Sequence, residues 1–183
     1  MPVNFGDLKI KELRFGDIRI AQCYIGNEQI DDRPYIRLKF HFDRTNANPR
    51  GKFGTAARNA GAEWLSTSDR QIWYAMVPLY TGGGGTQDSL LGLGKLFNAE
   101  GSGEPGVLLE STLGTCQVLE ITGEINRIET IDRIFQKCTA ITSISKTGFY
   151  DKFATSTALK NVNAVCNGCT NITDGSSLNG YIA

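Results

Sequence analysis

A β-rich α+β protein in three parts is the fold that the 183-residue chain suggests, on three grounds. It opens with a ten-residue repeat, alternates strictly between apolar and polar residues at 35–42, and closes with short Cys-containing repeats. These features divide it into a decapeptide-repeat anchoring segment at 1–32, a central α+β region with a Gly-rich loop at 33–106, and a repeat-bearing region at 107–183 that reads as a solenoid.

The decapeptides FGDLKIKELR, FGDIRIAQCY and IGNEQIDDRP begin at Phe5-Gly6, Phe15-Gly16 and Ile25-Gly26. In each, a Gly able to take positive φ is followed by polar residues and then by apolar residues in alternation with charged or polar ones. The expectation is a β-meander with one apolar face. A segment this short cannot bury that face on itself, so it should rest on the rest of the chain, on sister chains or on another protein. Phe5, Gly6, Phe15, Gly16, Tyr24, Ile25 and Gly26 are therefore the candidate assembly-anchoring residues; an ordinary meander inside one domain is the plainer alternative.

Tyr35–Phe42 alternates as a half-buried strand should, with Ile36, Leu38, Phe40 and Phe42 on its apolar side. Residues 43–63 are polar and turn-rich. Trp64, Leu65, Ile72, Trp73, Tyr74, Met76 and Val77 then form a dense apolar group that reads as core. Beyond the run Gly82–Gly85, the spacing of Leu90, Leu91, Leu93, Leu96 and Phe97 predicts a short buried helix.

From Val107 onward, short apolar runs alternate with Thr, Ser, Asn and Gly. Ile131–Thr142 aligns with Val162–Thr173 at an offset of 31 residues, and Cys-Thr-x-Ile-Thr recurs in both. A weaker copy runs from Leu113 through Cys116 to Leu119. The shared pattern predicts an inward ladder built from Leu113, Cys116, Leu119, Phe135, Cys138, Ile141, Cys166, Cys169 and Ile172, with Thr and Asn side chains bonding backbone at the turns.

Catalytic and cofactor motifs do not emerge. Gly82–Gly85 followed by Thr86 lacks the Gly-Lys-Ser/Thr of a phosphate loop. Cys166-x-x-Cys169 has the spacing of half a zinc site or a redox pair, but His41 is the sole histidine, and packing explains Cys169 without further ligands. No nucleophile elbow or carboxylate pair stands out. No catalytic residue, no metal and no cofactor is expected, and a glycan-active enzyme built on Trp64 and Trp73 lacks its carboxylates. Nineteen basic residues balance nineteen acidic ones, and no Lys/Arg cluster would track a phosphate backbone, so nucleic acid is not an expected partner. Membrane insertion is not expected either, because no segment approaches the roughly 20 apolar residues of a span and no signal-peptide run opens the sequence.

Two resemblances sharpen this picture. The units FQKCTAIT and VCNGCTNIT resemble the BspA-like leucine-rich repeats of bacterial surface proteins, through Phe135, Cys138, Thr139, Ile141, Thr142 and through Cys166, Cys169, Thr170, Ile172, Thr173; Cys166 departs from the aromatic consensus. The decapeptides, above all Ile20-Ala-Gln-Cys-Tyr24-Ile-Gly26, resemble Gly-containing repeats of bacteriophage virion proteins. Together these resemblances imply a leucine-rich-repeat-like C-terminal solenoid and a non-enzymatic fibre or decoration protein, made in the host cytoplasm and located in the virion. The implied partners are other virion proteins, further copies of the chain in a homo-oligomer such as a trimer, and a host-surface glycan or protein. A cytoplasmic leucine-rich-repeat interaction module is the alternative.

Overall fold

The computed structural model describes residues 35–50, 52–81, 89–97 and 109–173, together with the backbone of four two-residue strands between 14 and 29. Those four strands form two separate antiparallel pairs. β1 (Arg14–Phe15) faces β2 (Ile18–Arg19) with Phe15 opposite Ile18, and β3 (Tyr24–Ile25) faces β4 (Glu28–Gln29) with Ile25 opposite Glu28. Two residues separate the strands of each pair, Gly-Asp in the first and Gly-Asn in the second, the composition favoured by tight hairpin connections. Among the described residues the pairs recur ten residues apart as two separate two-stranded sheets, in place of the expected continuous meander.

The main sheet has five strands: β5 (Tyr35–Phe42), β6 (Glu63–Ser66), β7 (Ile72–Pro78), β8 (Cys116–Gly123) and β9 (Ile141–Ile144), in the spatial order β6-β7-β5-β8-β9. β5 is central because its alternation gives it one fully apolar face. Ile36, Leu38, Phe40 and Phe42 are completely buried, while Arg37 and Lys39 on the other face reach Glu120 of β8 at 3.5 and 3.9 Å. β7 and β8 flank β5 antiparallel, with Leu38 opposite both Ala75 and Ile121. β9 joins β8 in parallel, with Cys116 opposite Ile141.

This arrangement corrects the expectation of a C-terminal leucine-rich-repeat-like solenoid. The two strands of that region, β8 and β9, hydrogen-bond into the same mixed sheet as β5, β6 and β7, and one hydrophobic core runs from Ile36 through Phe97 to Val165. The physical reason is that the edge of β5 needs a partner for its backbone groups. β8, apolar at Cys116, Val118 and Ile121, supplies it.

Helix is scarce. α1 (Thr55–Ala60) is a single short segment ended by Gly61 at φ 94, and it buries only Ala57. The helix expected over Leu90–Phe97 does not form. Gly92 bridges Tyr80 on one side and Thr130 on the other, and the chain then turns at Gly94–Phe97, with Lys95 at φ 51 and the Leu96 amide donating to the Leu93 carbonyl. The segment's apolar residues Leu93, Leu96 and Phe97 are nevertheless fully buried, so the spacing signalled burial and not helix.

Trp64 and Trp73 both belong to the core. Trp64 stacks on Phe53 with ring centres 5.1 Å apart, and the Trp73 indole N–H donates to the Arg70 carbonyl at 2.7 Å. Neither presents an open ring face of the kind that binds sugar.

Candidate assembly surfaces

Beside the sheet, three chain segments lie in parallel register like rungs: Gly92–Phe97, Thr130–Lys137 and Asn161–Gly168. The amides of Leu93, Lys95 and Phe97 donate to the carbonyls of Thr130, Asp132 and Ile134 at 2.9, 2.8 and 3.3 Å. One rung further on, the amides of Ile131, Arg133, Phe135 and Lys137 donate to Asn161, Asn163, Val165 and Asn167 at 2.9, 2.9, 2.9 and 2.7 Å. The 31-residue offset in the sequence is thus the spacing between the second and third rungs. The first is offset by 38 and carries no cysteine, but Leu93-Gly-Lys-Leu-Phe97 matches Ile131-Asp-Arg-Ile-Phe135 in its apolar, basic and aromatic places, the signal by which it is found.

The rungs repeat in backbone conformation as well as pairing. Lys95, Arg133 and Ala164 occupy equivalent places with φ of 51°, 53° and 51°, and Lys137 and Gly168 do so with 59° and 77°. A left-handed residue costs a non-glycine side chain about 1–2 kcal/mol, offset here by the inter-rung bonds that the turn permits. Glu129 ties all three rungs together. Its carboxylate accepts the Leu91 amide at 2.9 Å from the first and the Lys160 ammonium from the third.

Those contacts, the Lys160 hydrogen bond foremost, lower the Glu129 pKa. A lowered carboxylate pKa contributes stability above the unfolded value that is lost as pH falls through the folded one. Glu129→Gln is therefore expected to cost little at neutral pH, its Lys160 partner being solvent-exposed, and to flatten the acid limb of a stability-versus-pH curve. Thermal melts of both proteins across the carboxylate range would check this; parallel acid limbs would contradict it.

The residues singled out from the sequence fall at different depths. Phe135, Cys138 and Ile141 are fully buried, and Cys116 nearly so. Cys116 lies on β8 opposite Ile141, whereas its fellow candidates Leu113, in a 3-10 turn, and Leu119 are half-buried. Cys166, on the last rung, and Cys169 and Ile172, just after it, are half-buried and pack against the core. Of the anchoring candidates, Phe15, Tyr24 and Ile25 stand in the hairpin strands; Phe5, Gly6, Gly16 and Gly26 lie outside the described residues.

The cysteines have the chemistry of packing groups. Burial raises the Cys116 and Cys138 thiols above their ordinary value, which suppresses the nucleophilic thiolate. At the third rung, the Cys169 thiol donates to the Phe135 carbonyl at 2.8 Å, and Cys166 contacts the Tyr150 hydroxyl at 3.6 Å. A mutual hydrogen bond raises Cys166 and lowers Cys169. Among the described residues, no group of three or more His, Cys, Asp or Glu side chains is arranged to hold a metal ion, and no helix is long and apolar enough to cross a membrane. His41 is exposed on β5. Asp132 is buried with one carboxylate oxygen that has no hydrogen-bond partner among the described residues, and burial raises its pKa. Arg133 lies 3.9 Å away.

The described residues present two repeated backbone arrangements: the paired strands at the N-terminal end and the rungs beside the sheet. Comparison with protein-family models, with curated proteins and with solved structures returned no match, so a function for the chain must be argued from these surfaces.

Proposed function

We propose that the protein is a non-enzymatic structural component of a bacteriophage virion, of fibre or decoration type. Its N-terminal repeats attach it to other virion proteins, and its C-terminal part is exposed for contact with a host-surface glycan or protein. The observation that carries the reading is the recurrence of a two-stranded hairpin at 14–19 and again at 24–29, at the ten-residue period of the sequence. An isolated two-stranded hairpin is marginally stable in water. A series of them gains stability by adding to a sheet or groove of another subunit, as attachment elements do. The balanced charge suits packing among protein subunits, and copies arrayed through such edges fit a homo-oligomer.

Mass spectrometry of purified particles tests the proposal. The protein is expected among the virion components, and the double substitution Gly16→Val with Gly26→Val is expected to reduce its incorporation by impairing both two-residue connections. Particles that lack the protein would overturn the virion assignment; normal incorporation of the double variant would overturn the attachment role of the repeats.

A further inference from the structure

The stack of rungs has a direction, and its two ends differ. From Leu93 to Phe97 and from Ile131 to Lys137, amides of the earlier segment donate to carbonyls of the later one; only at the rung entrances does the sense reverse, where the Glu129 amide donates to Leu91 and the Lys160 and Asn161 amides donate to Glu129. At the first rung the outward carbonyls are those of Gly92, Gly94 and Leu96. All three are occupied: Gly92 accepts the Tyr80 amide at 3.3 Å, Gly94 the Tyr80 hydroxyl at 2.9 Å and Leu96 the Gly54 amide at 2.8 Å. That end is closed by the body of the protein.

At the third rung the outward groups are amides. By the 31-residue offset, the donors equivalent to Ile131, Arg133, Phe135 and Lys137 are Val162, Ala164, Cys166 and Gly168. None has a hydrogen-bond acceptor among the described residues. Val162 and Cys166 are half-buried apolar residues packed against the core, so the row runs beside an apolar surface. A row of backbone donors left unpaired is a template for another chain.

We propose that this edge is a docking site for an extended segment of a partner protein that offers a backbone carbonyl at every second residue. The polarity of the row selects that occupant. Each of the two inner donor rows is met by such carbonyls, three in the first case and four in the second. A second copy cannot supply them from its first rung, whose carbonyls are already occupied. Two open edges brought together would set donors against donors. A partner strand instead satisfies the amides and covers Val162 and Cys166, the arrangement by which peptides add to an exposed sheet edge. This inference does not depend on the virion reading.

Amide hydrogen exchange on the full chain, kept reduced, tests it with a synthetic probe: the peptide KNVNAVCNGCTNIT, which repeats residues 160–173 and so carries the carbonyl row that fits the second rung. At saturating peptide, exchange at Val162, Ala164, Cys166 and Gly168 is expected to slow by about tenfold or more, as newly bonded amides do, with Ile131, Arg133 and Phe135 unchanged. The all-D peptide, of the same composition and wrong handedness, is expected to have no effect. Three results would overturn the proposal. The four amides stay unprotected at millimolar peptide (about the weakest affinity of interest); they are already protected without peptide, so that the chain covers its own edge; or their protection rises with protein concentration alone, so that a second copy does.

Discussion

Phe97→Ala is expected to destabilise the protein by about 3–5 kcal/mol, the usual cost of emptying a buried aromatic site. Phe97 is fully buried where the sheet meets the rungs. Its ring lies 5.6 Å from Phe40 of β5, edge to face, and 5.7 and 5.8 Å from Phe53 and Trp64, stacked on both. On the other side it stacks nearly parallel on Phe135 of the second rung, 5.9 Å away at 9°. Four aromatic partners lose a contact at once, and packed rings are worth about 0.5–1.5 kcal/mol per pair beyond the area they bury. Chemical denaturation would measure the loss, and Phe97→Leu, which fills most of the volume, should recover a large part of it. A change below about 1 kcal/mol on truncation, the scale of an ordinary surface substitution, would show that Phe97 is not the joint between sheet and rungs.

That joint also marks the boundary of what could be read from residues alone. The strand at 35–42 is legible because its period of two matches its burial residue by residue, from Ile36 to Phe42. The second and third rungs are legible because Cys-Thr-x-Ile-Thr recurs at the offset by which they stack. The first rung escapes because Leu93, Leu96 and Phe97 have helical spacing. Only a bond to a residue 37 positions away, Leu93 to Thr130, overrides that local signal. The same holds for β8 and β9. Their short apolar runs fit a strand in a solenoid as well as one in a mixed sheet, and the choice rests on pairing with β5, a contact between residues about eighty positions apart such as Leu38 and Ile121.

The open edge is illegible for a different reason. Every residue except proline carries an amide, so Val162, Ala164, Cys166 and Gly168 have no compositional mark that distinguishes them from Ile131, Arg133, Phe135 and Lys137. What separates the two sets is the direction of bonding through the stack, which depends on which side of each rung the next segment takes. The hairpins show the opposite case. Gly-Asp and Gly-Asn are a tight-turn signal in the sequence, and the strands at 14–15 and 18–19 and at 24–25 and 28–29 pair on either side of them. A turn signal is local, whereas an unpaired row of amide donors is a property of the assembled fold.

Gly92→Ala should separate the first two rungs, with a loss of about 1–3 kcal/mol, the range for forcing atoms into a packed site. A Cβ built at Gly92 would stand 2.2 Å from the Thr130 carbonyl oxygen and 2.9 Å from its amide nitrogen. Both are backbone atoms, so no side-chain rotation relieves the clash. One rung must withdraw, and it takes with it the bonds from Glu129 to Leu91 and from Leu93 to Thr130. Because Gly92 also pairs with Tyr80 on its other side, the substituted segment has no free direction in which to move. Amide exchange should accelerate first at Leu93 and Glu129, while the β5–β7 amides, held by their own ladder from Tyr35 to His41, keep their protection until global unfolding. Uniform acceleration across both regions would mean that rungs and sheet open as one unit. Unchanged exchange at Leu93 would mean that the close approach of Gly92 to Thr130 is not what holds the rungs together.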